Sequence, residues 1–184
     1  ASINEVVIHG IPKATTILKD GDIIAIDIGA CYKGYHGDSA WSYIVGEPKS
    51  ERDVKLLRWT EESLMAGLNA VKDGCTVGDI GHAVSKVAKK YNLGVVKELV
   101  GHGVGKHLHE DPDVPNYGKK GHGYKLEVGD TLCIEPMASL GKPANHIAKD
   151  GSGWTVEMND GSFGCHFEHT ILVTEDGYEI LTKA

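Results

Sequence analysis

The sequence is poor in the features that mark several large protein classes. No apolar run approaches the roughly 20 residues needed to span a bilayer, and no stretch reads as a signal peptide. Lysine and arginine are neither abundant nor clustered. The formal net charge of −7 disfavours nucleic acid or an anionic membrane as the main partner, because both reward basic patches. The four cysteines, Cys31, Cys75, Cys133 and Cys165, form no Cys-x-x-Cys. They read as free thiols in a reducing compartment, and a cytoplasmic protein is expected. His-Glu-x-x-His is missing, which excludes the single-zinc protease motifs. An initiator methionine is also missing. The chain opens at Ala1 and at once enters a strand-like stretch, Ile3–Ile8, as though cut into a fold.

What is present is ordinary globular material: 184 residues, 41% hydrophobic and 24% charged, enough for one buried core and a single domain over 1–184. Ile23–Ala30 is apolar except for one acid and reads as a strand buried on both faces. Gly34 breaks it, and Asp38–Val45 reads as the returning strand of a hairpin. Val54, Leu57, Leu64, Leu68 and Val71 fall at three- and four-residue steps, so Ser50–Val71 reads as an amphipathic helix capped by Ser50, with Gly74 just beyond it. Thr76–Tyr91 reads as a second helix, with Ile80, Val84, Val87 and Tyr91 on one stripe and a capping-box-like Thr76/Asp79 pair. From Val95 the chain is rich in strand and turn signals, with polar glycine-rich loops at Lys119–Tyr124 and Lys149–Gly153.

A faint internal repeat is more informative. Gly21-Asp22-Ile23-Ile24-Ala25-Ile26-Asp27 matches Gly129-Asp130-Thr131-Leu132-Cys133-Ile134-Glu135, each with a leucine three residues upstream, Leu18 and Leu126. His9-Gly10-Ile11 precedes the first copy as His102-Gly103-Val104 precedes the second, and Asp38 and Glu168 follow them. The spacings differ, so this is no solenoid period. It reads as two related halves, about 1–93 and 94–184, each delivering two acids and a histidine to a shared centre.

Asp27 and Glu135 carry the strongest chemical signal. Each sits in an otherwise apolar strand, where an unpaired carboxylate costs several kcal/mol. A salt bridge to lysine or arginine would satisfy one such acid, but the same placement in both copies favours a common role. Carboxylates gathered at one point repel each other and need protons or cations between them. Carboxylates plus one imidazole suit divalent ions such as Mn²⁺, Fe²⁺ or Co²⁺, and Zn²⁺ stays open. A carboxylate pair alone would also fit a glycosidase, but four acids and a histidine exceed what that mechanism needs. His102 lies in Gly101-His102-Gly103-Val104-Gly105, where glycines allow close approach to a crowded site. Read as a phosphate loop, the segment lacks the terminal Gly-Lys-Ser/Thr. His107, His109 and Glu110 follow closely. His36, His82, His122 and His146 read as surface or supporting groups.

Together these segments closely resemble the methionine aminopeptidases of the bacterial type I class. The resemblance rests on Glu5 to Pro12, Asp22 to Asp27, Tyr35-His36-Gly37-Asp38, Gly101 to Gly105, His109-Glu110-Asp111-Pro112, Thr131 to Met137, Asp150 to Val156 and Phe167-Glu168-His169-Thr170, and runs across nearly the whole chain. It implies an α+β pita-bread (creatinase/aminopeptidase) fold, with two pseudo-symmetric halves around a central metal site. It also implies two divalent metal ions, from Co, Mn, Fe or Zn, held by Asp27, Asp38, His102, Glu135 and Glu168. The implied reaction is removal of the N-terminal methionine from peptides and nascent chains by a hydroxide bridging the two ions. Glu135 would act as general base and acid, His109 would stabilise the oxyanion, and His9 would hold the peptide beyond the cut. His9, His109, Trp154, Leu108 and Tyr35 are the implied substrate contacts. A cytoplasmic monomer, able to associate with the ribosome, is the implied setting.

Two departures stand out. The family's N-terminal segment, part of which lines the methionine pocket, has no counterpart before Ala1, so the alternative is an inert or impaired pita-bread binding module. His166 stands where the family commonly carries glutamine. A third reading, a pita-bread peptidase cutting before proline, matches the motifs less well.

Overall fold

The structure is a computed structural model and describes residues 1–183. In chain order its elements are β1 (Ser2–Ile3), β2 (Val6–Ile8), β3 (Ile23–Tyr32), β4 (Tyr35–Ile44), α1 (Glu51–Leu68), α2 (Val77–Tyr91), β5 (Gly94–Val95), β6 (Gly101–Gly103) and β7 (Glu110–Val114). There follow β8 (Thr131–Ile134), β9 (Met137–Ser139), β10 (Asn145–Ile147), β11 (Val156–Met158), β12 (Gly164–His166), β13 (His169–Thr174) and β14 (Gly177–Ile180). The strands form antiparallel sheets ordered β1-β3-β4, β10-β11-β2, β12-β9-β5 and β14-β13-β8-β6-β7.

The helices start where their caps place them, but α1 ends at Leu68, short of the expected Val71. Ser50 accepts from the Asp53 N–H at the start of α1, and Thr76 and Asp79 close a reciprocal capping box on α2. Asn92, left-handed at φ 55°, ends α2 by donating its N–H to the last-turn carbonyls. The buried stripe of α1 differs from the expected one. Val54 is exposed, while Leu56 joins Leu64 and Leu68 in the main core with Ile80, Leu132, Ile134, Phe167 and Ile171. On α2 the buried stripe runs through Val77, Ile80, Val84 and Ala88, so Ala88 takes the place expected of Val87. A second, smaller cluster of Val7, Ile8, Val96, Met137, Val156 and Met158 packs between the sheets formed by β2 and β9.

Two strand readings are corrected. Ile3–Ile8 is not one strand, because Asn4 takes a positive φ of 55° and splits it into β1 and β2. Nor is Ile23–Ala30 buried on both faces. β1 pairs only with Ala25 and Ile24, and from Ile26 onward most of β3 is exposed, with Ile28 at 60%. The hairpin itself is as expected, its turn residues Lys33 and Gly34 both at positive φ, 50° and 83°, as a two-residue turn demands.

The internal repeat reappears as repeated hydrogen bonds. Gly21 and Gly129 both have positive φ, 78° and 101°. The Lys19 N–H donates to Asp22 Oδ2 (2.9 Å) as the Glu127 N–H does to Asp130 Oδ2 (3.0 Å). The Gly21 N–H reaches the Val45 carbonyl and the Gly129 N–H the Val173 carbonyl, while Val45 and Val173 donate back to the carbonyls of Asp22 and Asp130. Each Gly-Asp turn thus fixes the start of one strand, β3 or β8, against its returning partner, β4 or β13.

In the first copy Asp22 also accepts from Asn4 Nδ2 (3.1 Å) and Lys49 Nζ (3.0 Å). The Asn4 amide, then the Lys19 N–H and Lys49, hold its carboxyl at about 2, below the ordinary 3.8. A carboxyl with a depressed folded pKa stabilises the fold above its unfolded value and ceases to do so as protons bind. Asp22 should therefore contribute fully above pH 3.8, with the contribution lost toward pH 2. In urea titrations across this window, Asp22→Asn should be less stable than the parent at pH 6, and the gap should close at the acid end.

Candidate metal centre

One hairpin and three segments distant from it in the chain deliver the acids and the histidine. Asp27 lies in the middle of β3 and pairs with Ala40, while Asp38 on β4 pairs with Gly29. Side chains alternate along a strand, so Asp27 and Asp38 share one face of the hairpin as diagonal neighbours. His102 is the central residue of β6, Glu135 follows β8, and Glu168 sits between β12 and β13. Main-chain bonds stitch these segments together. The Glu168 N–H donates to the Ala40 carbonyl at 2.8 Å. Thr170 Oγ1 accepts from the Asp38 N–H at 2.9 Å and donates to the Asp38 carbonyl at 2.7 Å. Asn116 Nδ2 donates to the Glu135 carbonyl at 2.9 Å.

All five side chains line one cavity of about 260 Å³, with Ile8, His9, Leu99, Val100, His109 and Trp154 completing its wall. Asp38, His102, Glu135 and Glu168 are buried, and Asp27 is half-buried. Donor atoms of Asp38, His102 and His109 lie within 4.8 Å of one another, as do those of Asp27, Asp38 and Glu168, and those of Glu135, His166 and Glu168. His102 Nε2 is 3.5 Å from Glu135 Oε1 and 4.0 Å from Asp38 Oδ2. A larger cleft of about 660 Å³ at the end of α2 contains no carboxylate or histidine, so it cannot offer comparable chemistry.

The electrostatics match a cation site. Among the described residues, no lysine or arginine pairs with any of the four acids. Burial, then the charges of Asp27 and Asp38, pushes the Glu135 carboxyl well up. Burial raises Glu168 likewise, with Glu135, Asp38 and Asp27 adding to it. Asp27 is raised by burial first, and Asp38 adds to this. Glu168 Oε1 is buried without a hydrogen-bond partner. Clustered carboxylates and an orphaned oxygen are what divalent metal cations would satisfy, and carboxylate oxygen with one imidazole is a donor set such ions accept. His102 fits this set. Its Nδ1 lies 2.9 Å from the Gly103 carbonyl, which only accepts, so the proton is on Nδ1 and the Nε2 lone pair faces the cavity. Burial lowers the His102 pKa and favours that neutral form.

The expected substrate contacts divide. His9, at a positive φ of 59°, stacks on Trp154 with centroids 4.3 Å apart, and both line the cavity. His109 meets the His102 ring edge-on at 4.3 Å. Leu108 lies over Gly29, where a Cβ would come within 3.2 Å of Leu108 Cδ1, and does not line the cavity itself. Tyr35 is 62% exposed beside the hairpin turn and also lies outside the cavity. Several contributors gave no signal as single residues: Leu99 and Val100 in the wall, Thr170 bracing Asp38, and Cys133, whose thiol lies 3.5 Å from Thr170 Oγ1.

Residues 1–175 match the profile of metallopeptidase family M24. The chain belongs to that family and has its pita-bread fold. Within it, the sequence is similar to the methionine aminopeptidases. It is 50% identical over 182 residues to methionine aminopeptidase 1 of Bacillus subtilis, covering 99% of this chain and 72% of that protein. The crystal structure of the methionine aminopeptidase of Thermotoga maritima superposes with a TM-score of 0.96 at 47% identity, covering all of this chain and 72% of that one. The prolidase of Pyrococcus furiosus is more distant, with a TM-score of 0.77 at 25% identity and 48% of its length covered.

Thr170→Val keeps the side-chain shape but removes the hydroxyl from both main-chain groups of Asp38. The buried N–H and carbonyl left behind should cost about 1–3 kcal/mol in chemical unfolding.

Proposed function

We propose that this chain is a methionine aminopeptidase, hydrolysing the first peptide bond of peptides and nascent chains that begin with methionine. One observation carries the reading: four carboxylates and a lone-pair imidazole meet in one cavity with no protein cation among them. The similarity to methionine aminopeptidases over 99% of the chain supports the choice of substrate. Asp27, Asp38, His102, Glu135 and Glu168 would hold two divalent ions, drawn from Mn, Co, Fe or Zn. Such ions, when bound, lower the pKa of water, polarise a carbonyl and would offer a ligand position to a free, neutral α-amine, which would account for action at a chain end only.

The chain's own groups would do the rest. Glu135 would take a proton from the attacking water through its carboxylate and return one to the leaving amine. His109, projecting beside His102, would donate an N–H to the carbonyl oxygen as charge develops there. His9 and Trp154 would form a stacked wall for the peptide. Among the described residues no helix is long and apolar enough to cross a membrane, and four free cysteines suit a cytoplasmic setting.

The test is hydrolysis of Met-Ala-Ser by the metal-loaded chain, with N-acetyl-Met-Ala-Ser as the control for the free amine. Cleavage of the free peptide alone is expected. No cleavage with any of the four metals would favour a binding module. Glu135→Ala should lower turnover by about 10²-fold or more. A loss below about tenfold would remove Glu135 from the acid–base role. Metal should also stabilise the fold. At about 100 times its dissociation constant the gain is about 2.7 kcal/mol, read as a rise in melting temperature that Glu168→Gln should shrink and a chelator should abolish.

A further inference from the structure

Three buried side-chain atoms lack a hydrogen-bond partner among the described residues: both ring nitrogens of His166, and Glu168 Oε1. Glu168 is accounted for by the cation site. His166 is not, and it is 2% exposed. A buried polar group left unpaired costs about 1–3 kcal/mol, so a ring kept there without a partner needs a reason.

Its backbone is pinned. His166 pairs with Met137 across β12 and β9, and Ser42 Oγ touches both its N–H (3.1 Å) and its carbonyl (2.8 Å). The ring therefore has little freedom except about its own side-chain torsions. Nε2 lies 3.3 Å from Glu135 Oε2, in contact but not aligned as a hydrogen bond. The other oxygen of the same carboxylate, Oε1, faces His102 Nε2 at 3.5 Å. Glu135 thus sits between two imidazoles, one at each oxygen. They differ in one respect. The His102 proton is committed to the Gly103 carbonyl, so that ring offers Oε1 only a lone pair. Neither nitrogen of His166 is committed, so that ring can offer Oε2 a proton. The terminal torsion of histidine is broad and soft, so Nε2–H can swing onto Oε2 without leaving a rotamer well.

We infer that His166 is a positioning residue for Glu135: its ring, protonated on Nε2, donates to Oε2 and leaves Oε1 turned toward His102 and the cation site. The role rests on the acid–base function proposed for Glu135. A hydrogen bond to one oxygen restrains rotation of the carboxylate, which favours presenting the same oxygen to the attacking water in each turnover. The rival role is direct ligation, since donor atoms of His166, Glu135 and Glu168 lie within 4.8 Å of one another.

The experiment compares the full metal-loaded chain with His166→Gln, which can still present an N–H, and His166→Leu, which cannot. On Met-Ala-Ser, His166→Leu should lose about 10–100-fold in kcat with KM changed by no more than about twofold, and His166→Gln should restore most of the loss. The visible spectrum of the Co²⁺ form should be the same in all three. Long-range ¹⁵N–¹H spectra of the wild-type ring should show the proton on Nε2. A Co²⁺ spectrum altered in either variant, a proton on Nδ1, or full activity in His166→Leu would each overturn the inference. If His166→Leu does not fold, the ring spectrum and His166→Gln still decide. If the wild type does not cleave Met-Ala-Ser, the proposed function fails, while the ring spectrum judges His166 separately.

Discussion

Mutual repulsion among four carboxylates is the constraint around which the rest of the molecule is arranged. Asp27, Asp38, Glu135 and Glu168 share a cavity of about 260 Å³, and within it neither lysine nor arginine offsets them. Charges gathered in a partly buried cavity interact strongly. The chain relieves this in part by raising the pKa of Glu135 and Glu168. The remainder is a standing attraction for cations, the property on which the proposed binding site rests. Every strand that enters the cavity is braced from behind by main-chain bonds, because the repulsion must be opposed by something other than the acids.

That bracing crosses from one half of the chain to the other. Thr170 holds Asp38 through both its N–H and its carbonyl, Ala40 accepts from Glu168, and Ser42 contacts the backbone of His166. The first half supplies one pair of acids, the second half the other pair and His102. Neither half holds a complete donor set. The two Gly-Asp turns give each half the same starting geometry, which explains how a short repeated motif produces two similar strand pairs facing one centre.

Much of this was legible in the sequence, and the reasons differ by residue. Asp27 and Glu135 stood out because an acid in an apolar strand is costly, and their common place in the repeat tied them together. Ser50 and the Thr76/Asp79 pair carry their capping chemistry in the residues themselves. The inward face of α1 was harder, since Val54 and Leu56 are both apolar and only the packing against β8 and β12 decides which is buried. β3 differs from the expected doubly buried strand because an apolar run does not record what lies over it: β1 flanks its edge only as far as Ala25, and from Ile26 onward most of the strand is exposed. His166 and Thr170 could be seen flanking Glu168, but what they touch lies in strands from the other end of the sequence or across the cavity. No local pattern records those meetings.

The exchange of hydroxyl and backbone bonds between β4 and the 166–170 segment means that the two halves meet along a hydrogen-bonded seam rather than only through greasy side chains. Such a seam is directional and tolerates little sliding, because a shift of one residue would turn Asp38 away from Glu168. The spacing between the acids is therefore set by strand register, and a chain that has docked its halves correctly has, by the same act, gauged the gap that the proposed ions would fill.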